Sequence, residues 1–459
     1  MIGLSISVSS KIASFVNELS LAKIPSNVVM KAKLHILDTI GVALATSAME
    51  APEVEYIIRV LSGVSDEYMS SVWGRGFKSY TPFAAMINSV QAHFLDYDDT
   101  HLGAITHVSS VVVPTAFAVG EVLGSSGSRV LEAVIAGYEV TARLGLLAPT
   151  AFHMRGFHPT SVVGVFGATV TAGKLLGLSE EQLVNALGIA GSMSSGILRA
   201  IPEGVRLKPL HPGIASMNGI LAALLAREGF KGPRRVFEGE QGFYKAYLGE
   251  SIDVESLTFN TWETMNIAIK PYPTCHSTHS AIDIAITLYR DFGLRPDDIS
   301  EITFYVPRVV IHITMEPKEE KLRPSTPYSA KFSLPYTVIL ALKKGWISIW
   351  DFTEENIRDE EILKHTSKVK AVHEPAYDKF LSMGVKPAKA KVLTKDGRTI
   401  EIEVIGHLGT PMKPMNVEDV ARKFKDNIKY LKVNAETLIN KVLKLEEIAN
   451  IEEIVKLIR

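Results

Sequence analysis

The 459-residue chain has one cysteine, Cys275. A single thiol excludes an intrachain disulfide framework, and with no CxxC pair there is no cysteine cage for zinc or an iron–sulfur cluster. An excess of one charge is also missing: 49 Lys plus Arg stand against 50 Asp plus Glu, a net charge of −1. Without a basic run there is no electrostatic footprint for nucleic acid. Long apolar runs are absent too. The most apolar windows, 109–124 and 160–178, are interrupted by Pro114, Glu121 and Lys174, so neither reads as a membrane span. The opening MIGLSISVSSKIASFVNELS lacks a basic region and a small-residue cleavage site, so a cytoplasmic location is expected. Dinucleotide, P-loop, GxSxG and HExxH patterns are not found.

What is present is an ordinary globular mixture, 46% hydrophobic and 22% charged. The length suits two or three domains. Apolar spacing at three and four predicts helices over 10–21 (Ile12, Phe15, Val16, Leu19), 28–45, 53–61, 81–97, 109–123, 130–147, 161–176, 180–196 and 215–228. Turn signals such as Gly124-Ser125-Ser126-Gly127 separate them. Gly164, Gly167, Ala168, Ala172 and Gly173 fall in one helix and predict close backbone packing. The character changes near residue 265. Segment 301–310 is strand-like, and 388–393 with 399–405 flank Lys395-Asp396-Gly397-Arg398, a hairpin signal. Helical patterns cover 277–292 and 330–344. The expected fold class is mainly α: a large all-helical domain over 1–265, a smaller α+β domain over 266–409, and C-terminal helices over 410–459 packing back on the helical domain.

Five segments carry chemistry. Residues 91–107, QAHFLDYDDTHLGAITH, hold His93, Asp96, Asp98, Asp99, Thr100, His101 and His107. A helix through Thr100 would place Asp96 and Thr100 on one face. A carboxylate beside histidines fixes a tautomer and tunes a pKa; the competing readings are a solvated, capped helix end and a metal site, for which HExxH and calcium-loop spacings are missing. His158, in RGFHPT, precedes the small-residue helix, where the helix dipole would favour a neutral base; a hydrogen-bonded core histidine is the alternative. Residues 203–213 place Arg206, Lys208 and His211 between Pro and Gly, either a carboxylate- or phosphate-binding loop or a solvated one. His276 and His279 open the 277–292 helix beside Cys275, which reads as structural. Lys331 and Ser333 lie in AKFSLPY and could reach a cleft.

In series, LHILDTIGVALA, AHFLDYDDTH, GFHPTSVVGVFGATVTAGKLLGLSEEQ, EGVRLKPLHPGIAS, GFKGP, KPYPTCHSTHSAID and AKFSLPY resemble the MmgE/PrpD family over nearly the whole chain. The resemblance implies a homodimer in which the α+β domain acts as a lid. It also implies cofactor-independent chemistry, with neither metal nor organic cofactor, on a small di- or tricarboxylate. The family's site residues correspond here to Asp96, Thr100, His107, His158, Lys208 and His279. Three departures stand out: a Thr-to-His spacing one residue longer than in the decarboxylase, His276 where members often carry Arg, and Pro209 where Arg is common. His107 and His158 are then expected as the acid/base pair, with Asp96 orienting one of them and Thr100 positioning substrate or water. Lys208 binds a carboxylate and His279 comes from the lid. Arg206, His276 and Lys331 are expected substrate contacts. The first expected reaction is dehydration of 2-methylcitrate in propionate breakdown, by a carbon–oxygen lyase. Decarboxylation of cis-aconitate and epimerisation of a related acid follow; a metal-dependent hydrolase or a non-enzymatic helical scaffold represents the other classes.

Overall fold

A computed structural model describes residues 6–49, 51–61, 69–200, 203 and 205–459. The start of the amino-terminal segment (1–5) and Gly204 of the basic loop lie outside the described residues. The chain forms two compact units, one of Met1–Ile267 with Val417–Arg459 and one of Ala268–Asn416. No helix among the described residues is long and apolar enough to cross a membrane.

The first unit is built on helices that bury all their faces. In the Ser26–Ser47 helix every residue from Lys31 to Thr46 is buried. The Ser109–Leu123 helix is buried from Ser109 to Gly120, and the Gly164–Leu176 helix from Gly164 to Gly173. Helix ends follow local rules: Ser126 caps Gly127–Leu146 by accepting from the Arg129 N–H, Ser179 and Gln182 form a capping box, and Gly124 and Gly177 close helices in the left-handed conformation. Small residues set the spacing between helices. A Cβ on Gly167 would lie 1.8 Å from Thr141 Oγ1, and one on Gly219 would lie 2.4 Å from the Ala168 Cβ. Glycine there lets the backbones touch, where any larger side chain would force the helices apart.

The C-terminal residues of this unit form helices Val417–Asn427, Ala435–Leu443 and Glu452–Ile458. Lys423 Nζ pairs with Asp38 Oδ1 at 2.6 Å, donates to the Tyr97 carbonyl at 2.9 Å and lies 3.7 Å from the Tyr97 ring centroid. Lys33 Nζ donates to the Leu443 carbonyl at 2.9 Å. Ser26–Ser47 is thus gripped at its buried polar positions by the end of the chain.

The second unit carries a four-stranded sheet in the order Val369–His373, Ile299–Val306, Ala388–Thr394, Thr399–Val404. The first pairing is parallel and the others antiparallel. The hairpin turns through Gly397, at φ 87°. Helices His276–Asp291 and Leu334–Lys344 pack against each other and bury Ile282, Leu288, Ile339 and Leu342 against Ile302 and Phe304 of the sheet.

Several sequence expectations are corrected. The strand expected over 301–310 runs Ile299–Val306 and gives way to helix Arg308–Thr314, because Pro307 cannot donate to a ladder and presets a helical φ. The helix expected over 330–344 is two, Pro327–Ala330 and Leu334–Lys344; Ser333 caps the second by accepting from the Tyr336 N–H. The first unit is not wholly helical, since Met69–Ser71 and Lys78–Tyr80 form a short antiparallel hairpin.

Replacing Gly219 by Val should cost about 1–3 kcal/mol or more through overpacking against Ala168 and Thr169. Chemical denaturation of the variant checks this, and an unchanged midpoint would contradict the close approach.

Candidate active site

The polar loop after the Thr81–Phe94 helix begins earlier than its sequence pattern suggests. The helix stops at Phe94, and Asp96 adopts a left-handed conformation, φ 52°. That costs about 1–2 kcal/mol for a residue with a Cβ, and Asp is one of the few types that tolerate it. Asp96 and Thr100 therefore share no helix face; Thr100 opens the short strand Thr100–His101.

The loop sends its carboxylates in different directions. Asp96 pairs with Lys208 Nζ at 3.1 Å. Asp98 accepts from His93 Nδ1 at 2.7 Å and lies 3.4 Å from His107 Nδ1. Asp99 pairs with His35 Nδ1 at 2.6 Å and accepts from the backbone N–H of Ser109 at 3.1 Å and from its hydroxyl. Asp98 is thus hydrogen-bonded to one imidazole and close to a second, while Asp96 holds the lysine.

His107 Nδ1 lies 2.9 Å from the Asp99 carbonyl and 3.3 Å from Thr100 Oγ1. A carbonyl only accepts, so Nδ1 carries the proton and Nε2 presents a lone pair, 3.4 Å from Lys208 Nζ. The His107 backbone donates to Thr160 Oγ1 at 3.0 Å. The His107 and His158 ring centroids are 6.1 Å apart, with His93 at 4.5 and 5.6 Å from them. His158 Nδ1 faces His211 Nδ1 at 3.2 Å, so one of that pair carries the proton between them. The structure thus gathers Asp96, Thr100, His107, His158 and Lys208. Arg206 stacks on Phe94, its guanidinium 5.0 Å from the ring centroid. His101 serves the fold, accepting from the Ala104 N–H through Nδ1 and pairing with Glu263 through Nε2, both at 3.1 Å.

Burial sets the electrostatics. It lowers the His93 imidazole to about 4, against the attraction of Asp98 and with the help of Lys208 and His107. His158 is held well below the usual imidazole range by burial first, then by Lys208 and the neighbouring rings. The helix dipole expected to act on His158 has little to offer, because the helix it precedes, Pro159–Val162, is a single turn. Burial pushes the Asp98 carboxyl up, but His93 and His107 outweigh it and hold it well below the usual carboxylate range. The state these directions share is an ionised Asp98 accepting from a neutral His93. His93, His107 and His158 each bring a nitrogen within 4.8 Å of the others, a set that transition metals accept. The Lys208 ammonium beside His107 opposes a cation and favours an anion.

In the second unit, His276 opens the His276–Asp291 helix and His279 follows one turn later. Their ring centroids are 4.8 Å apart, and His407 lies 5.5 Å from the first and 4.8 Å from the second. Burial lowers the pKa of both His276 and His407. Lys331 sits in the break before Leu334–Lys344, its Nζ 5.5 Å from the Phe352 centroid, and its carbonyl accepts from the Cys275 N–H at 3.0 Å. Sequence reasoning gives no role to His93, Asp98 or His211 and does not single out His35 or His407. A signal for His35 existed: His35, Asp38 and Thr39 are the polar intrusions in an otherwise apolar LHILDTIGVALA.

Two expected outcomes follow. Burial lowers the His35 pKa, so Asp99→Ala leaves a neutral buried ring and the Ser109 N–H without their acceptor and should cost about 1–3 kcal/mol, read by chemical denaturation; an unchanged midpoint would show that the pair does not organise the fold. His93 has a native pKa near 4, below its unfolded value near 6.5, so the unfolded chain binds the extra proton between those values. Its contribution is complete above pH 6.5 and is lost as pH falls towards 4, at up to about 1.4 kcal/mol per pH unit. Denaturation midpoints of native protein and His93→Gln across this range check the slope, which the variant should reduce.

The chain is similar to known proteins over nearly its whole length. Human cis-aconitate decarboxylase is 31% identical over 99% of this chain and 95% of its own length. The mouse cis-aconitate decarboxylase is 28% identical over 99% and 93%, and the cis-aconitate decarboxylase-like protein oryM of Aspergillus oryzae is 27% identical over 98% and 97%. Residues 10–255 match the MmgE/PrpD N-terminal domain and residues 272–447 the MmgE/PrpD C-terminal domain. With both family domains matched in order along the chain, the protein belongs to the MmgE/PrpD family.

Proposed function

We propose that the protein is a cofactor-independent lyase acting on a small tricarboxylate, with decarboxylation of cis-aconitate as the first reading. The observation that carries it is Lys208, an ammonium set between Asp96 at 3.1 Å and His107 Nε2 at 3.4 Å. A substrate carboxylate meets a cation there, beside an imidazole that exchanges a proton. The decarboxylase name of the full-length relatives supports this choice over dehydration.

Loss of CO2 leaves an electron pair that spreads over the adjoining alkene and carboxylate, and one proton added at carbon completes the product. Lys208 stabilises the developing charge. His107, with Asp98 and the Asp99 carbonyl fixing its Nδ1 proton, is the group beside the anion site, and His158 is its buried counterpart. His93 is a positioning residue that keeps Asp98 ionised and in place. His279, carried over from the family resemblance, is retained as a proton-transfer candidate.

Dehydration of 2-methylcitrate is the second reading. It is favoured by the His158–His211 contact, in which one proton lies between two buried rings. Such a pair suits delivery of a proton to a leaving hydroxyl while a base removes the proton next to a carboxylate.

The test is proton NMR of EDTA-treated protein incubated separately with cis-aconitate and 2-methylcitrate. Decarboxylation of the first is the expected outcome, and His107→Ala, His158→Ala or Lys208→Met should each slow it by about 10²–10⁴-fold. Water loss from 2-methylcitrate alone would move the assignment to a hydro-lyase. No reaction with either compound until a divalent metal is restored would sink the cofactor-free reading. His279→Ala in the same assay tests the carried-over role.

A further inference from the structure

The second unit contains a histidine cluster arranged as metal ligands are arranged. His276, His279 and His407 each offer a nitrogen within 4.8 Å of the other two. They come from the first turn of one helix and from the segment after the hairpin, so only the folded unit assembles them. His279 and His407 are buried, and His276 Nε2 is a buried atom with no hydrogen-bond partner.

Two of the rings are held in a defined tautomer by backbone carbonyls. His279 Nε2 lies 3.1 Å from the Thr274 carbonyl, and His407 Nδ1 lies 2.7 Å from the Leu408 carbonyl. A carbonyl accepts only, so those nitrogens carry the protons, and the lone pairs are on His279 Nδ1 and His407 Nε2. Metal-binding histidines characteristically donate the other ring N–H to a carbonyl or carboxylate, which fixes the ring and strengthens the ligand. A further layer supports this one. Asp283 accepts from the Leu408 N–H at 2.9 Å and from the Tyr272 hydroxyl at 2.6 Å, holding the peptide that orients His407. With metal–nitrogen distances of about 2.0–2.1 Å, a tetrahedral tris-imidazole centre places ring centroids about 5 Å apart. The observed separations of 4.8, 4.8 and 5.5 Å bracket that value.

We propose that the second unit binds one divalent transition-metal ion of the zinc, cobalt or nickel class through His276, His279 and His407. Three imidazoles select such ions over magnesium and calcium, which prefer oxygen. Three protein ligands leave a position for water or an anion. A bound ion takes the Nδ1 lone pair of His279 out of any proton transfer, so it would restrain the lyase chemistry proposed above; metal binding itself is independent of that reading.

The experiment titrates EDTA-stripped, chelator-free full-length protein with Co2+, read by visible absorption, and then with Zn2+. One equivalent of Co2+ with the intense bands of a four-coordinate centre, displaced by Zn2+, is expected. Affinity should fall more than about tenfold in His407→Gln and in His276→Gln and persist in His107→Gln, with circular dichroism confirming each fold. If His407→Gln does not fold, His276→Gln decides, since that ring is at a helix end and only partly buried. Absence of saturable one-equivalent binding overturns the proposal, as does binding that survives both variants. Loss in His107→Gln alone also overturns it, by moving the ion to the first unit. No substrate is present, so failure of the lyase reading leaves the result intact.

Discussion

Two adjacent buried carboxylates, Asp98 and Asp99, organise the first unit. A buried carboxylate is tolerable only when hydrogen-bonded or paired, so each must recruit partners. Asp99 recruits His35 from the Ser26–Ser47 helix and the start of the Ser109–Leu123 helix. Asp98 recruits His93 and His107. One residue ties helices together and its neighbour fixes the imidazoles, so a change that loosens the helices also displaces the site.

The end of the chain reinforces that arrangement. Burial raises Asp38 to about 6 even with Lys423 opposing the rise, which shows how far from water the pair lies. Lys423 also holds the Tyr97 carbonyl, the peptide just before Asp98. Residues more than three hundred positions apart therefore set the path of the polar loop. A buried ion pair contributes little net stability against an apolar replacement, but it demands one geometry, and here that geometry belongs to the site.

Lysines stand near both histidine clusters: Lys208 in the first unit, and Lys270, Lys386 and Lys413 around His276 and His407 in the second. In the first unit Lys208 stands beside His107 and suits the pocket to an anion. In the second, carbonyls of Thr274 and Leu408 fix the tautomers of His279 and His407. The hydrogen-bond partner of one ring nitrogen decides where the other presents its lone pair, and so what each imidazole is suited to do.

The sequence by itself determined the helical character of the first unit, the hairpin at Gly397, the small-residue packing and the family. Each rests on local periodicity, turn chemistry or a run of short motifs. It also singled out Asp96, His107, His158 and Lys208 as candidates, through the crowding of titratable residues in Pro- and Gly-bounded segments and through the family resemblance. Only the tertiary structure decided that Asp98 meets His93 and His107 and that Asp96 and Thr100 share no helix face, because the left-handed turn at Asp96 ends the helical spacing. It alone joined His35 to Asp99, Lys423 to Asp38, and His407 to His276 and His279. These contacts span distant parts of the chain, and burial, which sets both their strength and their protonation, is a property of the folded unit and not of any segment.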